Sequence, residues 1–174
     1  MPENHLFIHP DITQAETLPA WFYRSAPLFE RQKTALFAKT WQWVGHQQLV
    51  PLHNWAHPFV FMEHYLEEPM LLVRQNNGEI MNLSNVCTHR GNLLYHEAAP
   101  AQQLVCRYHG RRFTSYGQYK QMPEFTGVQH FPRPCDDLHR FPLAQWGPFM
   151  FTSIQPAFQI EEVLAKKKKK IGFL

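Results

Sequence analysis

Two cysteine-histidine pairs restrict this chain more than any other feature: Cys87-Thr88-His89 and Cys106-Arg107-Tyr108-His109, with sixteen residues between them. So little chain separates the pairs that each sits on its own loop, and each loop delivers one thiolate and one imidazole. Gly91 and Gly110 close the two motifs, as suits loops that fold tightly enough for backbone N–H groups to point at sulfur. The third cysteine, Cys135, lies between Pro134 and Asp136 with no visible metal partner and reads as a bystander thiol. An odd cysteine count fits poorly with a disulfide framework, so metal ligation is the better use for two of the three.

Around these loops the sequence reads as mainly β. Fourteen prolines and 14% aromatic residues favour a turn-rich fold over a helical bundle, and 44% hydrophobic content over 174 residues is enough for one core. Short apolar segments separated by turn residues predict strands at 44–50, 58–63, 70–75 and 80–86, with Asn76-Asn77-Gly78 as a hairpin turn. A short strand at 103–106, a hairpin at 113–119, a long covering loop at 120–143 and a strand at 147–153 follow. Ser25-Ala26-Pro27 opens a helix expected to run to about Trp43, its Leu28, Phe29, Leu36, Phe37 and Trp41 packing on the sheet. A final helix is expected at 158–170, with Ile160, Val163, Leu164 and Ile171 on one face.

Charge excludes some classes of function. The net charge of +3 owes much to Lys166–Lys170, and the rest of the chain is slightly acidic, with no basic stripe interleaved with stacking aromatics. A nucleic-acid partner is therefore not expected. The Lys166–Lys170 run reads as the solvated side of the last helix, with docking of an acidic redox protein as the alternative. Met1–Pro10 has no charged start followed by an apolar stretch, and no run of about 18 apolar residues exists. A soluble, cytoplasmic protein without a membrane partner is expected.

The donor set admits two metal chemistries. Two thiolates on one iron and two imidazoles on another make a Rieske 2Fe-2S centre. Two Cys and two His also make a tetrahedral zinc site, although zinc sites commonly use C-x2-4-C knuckles or H-x3-5-H on a helix. Colour separates the two, since a Rieske protein is red-brown and a zinc-stabilised binding module is colourless.

The motifs Cys87-Thr88-His89-Arg90-Gly91 and Cys106-Arg107-Tyr108-His109-Gly110 resemble the two cluster boxes of Rieske non-haem iron oxygenases, in the N-terminal part of their large (alpha) subunit. The resemblance extends upstream through Phe22-Tyr23, Phe29-Glu30, Phe37 and Trp41-Gln42-Trp43-Val44-Gly45, and downstream to Trp146-Gly147-Pro148-Phe149-Met150-Phe151. Stand-alone Rieske ferredoxins generally lack the upstream segment, so a free-standing ferredoxin is the second reading. The resemblance implies the Rieske iron-sulfur fold, an antiparallel β-sandwich with a small cluster-binding subdomain, flanked by N- and C-terminal helices. It implies an arm and helix over 1–43, the 2Fe-2S domain over 44–155, and a helix over 156–174 leading toward a catalytic domain. Cys87 and Cys106 would bind one iron, and His89 and His109, facing outward, the other. Arg90, Gly91, Tyr108 and Gly110 would support the loops, with Tyr108 shielding the cluster. Arg90, Arg107, Arg111 and Arg112 crowd the boxes and are expected to hold loop backbone or carboxylates, or to offset cluster charge.

Departures from the wider Rieske pattern carry information. Respiratory-chain Rieske proteins place a disulfide-forming cysteine in each box, where this chain has Asn92 and Tyr108. Their hydroxyl donors to sulfur correspond to Arg111 and Phe113, and most related oxygenases carry Trp at the Arg111 position. Losing hydroxyl donors disfavours the reduced, more negative state, so the expected potential lies at the low end of the Rieske range, near roughly −150 mV. The oxygenases activate dioxygen at a mononuclear Fe(II) held by two His and a carboxylate. No such site is expected here, since the prolines near His5/His9 and His53/His57 argue against the helices that would align them. The apolar ending Ile171-Gly172-Phe173-Leu174 is expected to precede that catalytic domain. The resemblance further implies a ferredoxin or reductase as electron donor, a substrate that is an aromatic ring or a quaternary ammonium compound such as choline, and a trimeric complete enzyme.

Overall fold

The four residues Met70-Leu71-Leu72-Val73 are all fully buried, and this explains the architecture. Alternate side chains of a strand point to opposite faces, so a strand with no polar face needs cover on both sides. In the computed structural model, which describes the backbone of residues 6–171 and side chains through Ala165, these residues lie on β3 (Glu68–Arg74), the central strand of a five-stranded sheet. Its order is β5-β2-β3-β4-β9, with β2 at Trp55–Phe61, β4 at Ile80–Ser84, β5 at Ala99–Pro100 and β9 at Arg140–Phe141. Leu72 packs with Val50, Ile80 and Met150, facing a three-stranded sheet of β1 (Gln42–His46), β11 (Phe149–Thr152) and β10 (Leu143–Trp146). Leu71 and Val73 face the other way and join Leu83, Leu94, Leu104, Phe113, Leu138 and the two cysteines Cys87 and Cys106. That second core is covered by β6 (Gln103–Val105), β7 (Arg112–Thr114) and β8 (Tyr119–Gln121), a small antiparallel sheet. The result is the expected mainly β, antiparallel sandwich with a small subdomain.

The Asn76-Asn77-Gly78 turn forms as expected between β3 and β4. Gly78 takes φ +89°, its N–H donates to Gln75 O at 3.0 Å, and Asn77 Oδ1 accepts from Glu79 N at 3.0 Å.

The first helix is shorter than its apolar spacing predicts. Ser25 Oγ caps α1 (Ala26–Ala35) by accepting from Leu28 N, but the helix stops eight residues before Trp43. Residues 37–39 form a 3-10 turn whose carbonyls are captured from far along the chain: Gln155 N donates to Ala38 O and Ala157 N to Lys39 O, at 2.8 and 2.9 Å. Trp41 Nε1 donates to Phe158 O, and Gln42 and Trp43 enter β1, where aromatic and β-branched residues fit better than in a helix. Nor does α1 pack on the sheet. None of its residues is buried, and Phe29 and Phe37 instead meet the edge of Tyr65 beyond β2, with ring centroids 4.7 and 5.2 Å apart.

Other boundaries also move. The predicted 44–50 strand ends at His46 and is followed by a 3-10 turn over Gln47–Leu49, with an irregular register between Trp43 and Gly45. The predicted covering loop contains a 3-10 turn at Pro134–Asp136, the short β9, and the start of β10. The last helix, α2, spans Ile160–Ile171. Ile160 is buried and Leu164 half-buried, whereas Val163 is exposed. The side chains of Lys166–Lys170 and Ile171, and the ending 172–174, lie outside the described residues. No helix among the described residues is long and apolar enough to cross a membrane.

Candidate metal centre

The two motifs fold into the same turn twice. After β4, Cys87 N donates to Asn92 O at 2.8 Å and Gly91 N to Cys87 O at 3.0 Å. Between β6 and β7, Cys106 N donates to Arg111 O at 2.8 Å and Gly110 N to Cys106 O at 2.9 Å. Gly91 and Gly110 both take the left-handed conformation, at φ +72° and +74°, which costs an L side chain about 1–2 kcal/mol. The unequal spacing, Cys-x-His against Cys-x2-His, places each histidine at a different step of an otherwise equal turn.

Space differs at the two glycines. A Cβ at Gly91 meets nothing within 4 Å, whereas one at Gly110 comes within 3.0 Å of Pro123 Cγ and 3.2 Å of its Cδ. Gly91→Ala is therefore expected to cost only the backbone strain, about 1–2 kcal/mol, and Gly110→Ala roughly twice that, because a rigid ring must move. Denaturant melts of the two variants check the ordering, and equal losses would overturn it.

The turns bring the four predicted ligand residues together as two unlike pairs. Cys87 and Cys106 are each 2% exposed within the second core and form no disulfide. His89 and His109 are half-buried, with ring centroids 4.8 Å apart at 76°. The thiols thus sit in the core as one pair and the imidazoles side by side as another. The split into pairs suits two metal ions.

The electrostatics of the two donor types differ. Burial pushes the Cys87 thiol up, as does the neighbouring Cys106, against the opposing pull of the His89 N–H and the Arg111 charge. Loss of solvent, then the adjacent His109, Arg111 and Arg90, holds the His89 imidazole below its ordinary range and so neutral, the form that binds metals. His109 Nδ1 is buried without a hydrogen-bond partner. A buried ring nitrogen left unpaired costs about 1–3 kcal/mol, and a metal bond removes the deficit. Residues and group therefore fit: two thiolates and two imidazoles are the donor set of a Rieske 2Fe-2S cluster.

Tyr108 stands otherwise than expected. It is 59% exposed and lies on the His109 ring at 3.9 Å and 36°, so it fixes that imidazole and covers little of the site. Arg90, Arg107 and Arg112 are exposed. Arg111 is not: it is 3% exposed, donates from Nη1 to Thr88 Oγ1 at 2.7 Å, and pairs through Nη2 with Asp136 Oδ1 at 3.3 Å. Thr88 Oγ1 in turn donates to Asp136 O at 2.7 Å. The guanidinium also lies over Tyr119 and Phe131, 5.2 and 5.5 Å from the ring centres. Thr88, Arg111 and Asp136 thus clamp the first turn, the second turn and the covering segment together. Sequence reading noticed Arg111 but neither partner. Cys135 is an exposed free thiol. His9 bonds locally to Asp11.

Comparison with known proteins gives the same reading. Residues 40–132, more than half of the chain, match the Rieske [2Fe-2S] domain. The carnitine monooxygenase oxygenase subunit of Escherichia coli (strain K12) is 31% identical over 94% of this chain and 42% of its own length. The large oxygenase component of the naphthalene 1,2-dioxygenase system of Pseudomonas aeruginosa is 36% identical over 55% of this chain and 21% of its own length. The chain thus spans between a fifth and two-fifths of these relatives. The crystal structure of the apo form of CntA, a quaternary ammonium Rieske monooxygenase, superposes with a TM-score of 0.78 at 25% identity, over 90% of this chain and 45% of that one. Two matching turns, an unlike pair of donor pairs and this domain match lead to one conclusion: the chain belongs to the Rieske [2Fe-2S] domain family, in the form found in oxygenase large subunits.

Proposed function

We propose that Cys87 and Cys106 bind one iron and His89 and His109 the other, and that the domain carries single electrons to a mononuclear non-haem iron oxygenase site outside this chain. The observation that carries this reading is the repeated turn, which buries both thiols and leaves both imidazoles side by side at the rim. When bound, the cluster supplies one-electron redox chemistry at modest potential. The protein's own work is to keep water from the cysteines with Leu94, Leu104, Phe113 and Leu138, to disfavour protonation of the His89 imidazole, and to orient His109 by the Tyr108 ring. Residues 44–155 form the cluster unit in this reading, with 1–43 and 156–174 as flanking segments.

The breadth of the match to the carnitine monooxygenase subunit, 94% of the chain against 55% for the naphthalene system, favours a quaternary ammonium compound over an aromatic ring as the substrate class of the complete enzyme. The electron donor is a ferredoxin or reductase, and exposed Arg90 and Arg107 within the two turns suit an acidic one. The complete enzyme is read as a cytoplasmic trimer. Anaerobic potentiometric titration followed by electron paramagnetic resonance tests the core of the proposal. We expect a red-brown protein that takes up one electron per cluster with a midpoint near roughly −150 mV. A midpoint above about +200 mV would refute the low-potential assignment, and a colourless protein holding one zinc would refute the ligand set.

A further inference from the structure

The two turns are joined by a contact that their backbone pattern does not require. Asn92 closes the first turn with its main-chain carbonyl, accepting from Cys87 N at 2.8 Å, and its side-chain Nδ2 reaches the second turn, 3.8 Å from Cys106 Sγ. The same nitrogen donates to the Leu93 carbonyl at 2.6 Å. That bond fixes the orientation of the carboxamide, because the reversed amide would set its oxygen against a carbonyl oxygen. One amide hydrogen is then used on Leu93 and the other is left for the sulfur. Among the described residues, Asn92 is the one side chain whose N–H lies within hydrogen-bonding distance of either cysteine sulfur in the centre. The Arg111 guanidinium is directed to Thr88 and Asp136, and Phe113 carries no donor.

Resting on the ligand assignment above, we propose that Asn92 is a positioning residue that raises the cluster's reduction potential through an N–H···S bond to Cys106. An N–H aimed at a thiolate sulfur stabilises the negative charge that the cluster gains with its extra electron, and so favours the reduced state. Asn92 therefore holds the potential above the value that the missing hydroxyl donors alone would leave. It also ties the first turn to the second at a position where other Rieske proteins use a disulfide cysteine.

Two variants of the cluster-loaded protein test the assignment. Asn92→Leu keeps similar bulk without a donor, and Asn92→Asp keeps the shape but replaces the N–H with a negative oxygen. The midpoint potential should fall in the order wild type, Leu, Asp. A merely structural tie would lower thermal stability or cluster content yet leave the midpoint of the retained clusters in place, and an unchanged midpoint in either variant overturns the proposal. Should neither variant retain its cluster, the intact wild type still decides. With asparagine side chains labelled by 15N, pulsed paramagnetic resonance of the reduced protein should show a weak nitrogen coupling beside those of the two histidines, and its absence overturns the proposal. Failure of the ligand assignment looks different: the wild type itself then gives no Rieske spectrum, and the proposal falls with it.

Discussion

His109→Ala is expected to abolish the Rieske paramagnetic resonance signal and to lower iron affinity more than about a hundredfold, a loss beyond that usual for a supporting residue. The side chain removed is the one whose buried Nδ1 has no other partner, and nothing nearby can replace it, since the adjacent Tyr108 is directed outward and stacked on the ring itself. Tyr108→Leu separates ligation from packing: it removes the stacked ring but leaves all four donors, so its spectrum should persist with altered line shape. A His109→Ala protein with wild-type iron and spectrum would remove His109 from the ligand set.

Asp136→Ala is expected to have the largest effect on stability. Arg111 is 3% exposed and Asp136 8%, so loss of the carboxylate leaves a buried guanidinium without its counter-charge, at a cost of about 3–5 kcal/mol. For a chain of this size that corresponds to a fall in melting temperature on the order of 10 °C. Asp136 Oδ2 also accepts from Arg133 N at 2.8 Å, so the 3-10 turn over 134–136 should loosen at the same time. Replacing both partners, as Arg111→Met with Asp136→Ala, should recover much of the loss, because no uncompensated charge then remains. Thermal melts followed at once by circular dichroism and cluster absorbance would show it, and a shift under about 2 °C for Asp136→Ala would sink the idea.

Much of the centre was legible because its determinants are local. Cysteine, histidine and glycine recur within a few residues, and each turn closes on its own backbone, so spacing alone singles out the candidate donors. The clamp was not legible, since Thr88 and Asp136 are 48 residues apart and Arg111 and Asp136 are 25 apart. Asn92 was read only as a missing cysteine, because no pattern announces an amide aimed at sulfur on another loop. The length of α1 was misread for a related reason. Leu36, Phe37 and Trp41 keep helical spacing, but carbonyls at 38 and 39 are taken by donors more than a hundred residues later, and this long-range pairing outweighs local periodicity. Strands of two residues, such as β5 and β9, carry no alternation to detect.

The clamp has a consequence for how the centre is filled. The segment that closes the centre lies 48 residues beyond Thr88 and 25 beyond Arg111, while each cysteine-histidine turn closes on its own main-chain bonds. Local opening of residues 133–137 would therefore unseal the centre without unmaking either turn. Delivery of iron and sulfide needs only that small opening, and the return of Asp136 to Arg111 and Thr88 seals what has been filled.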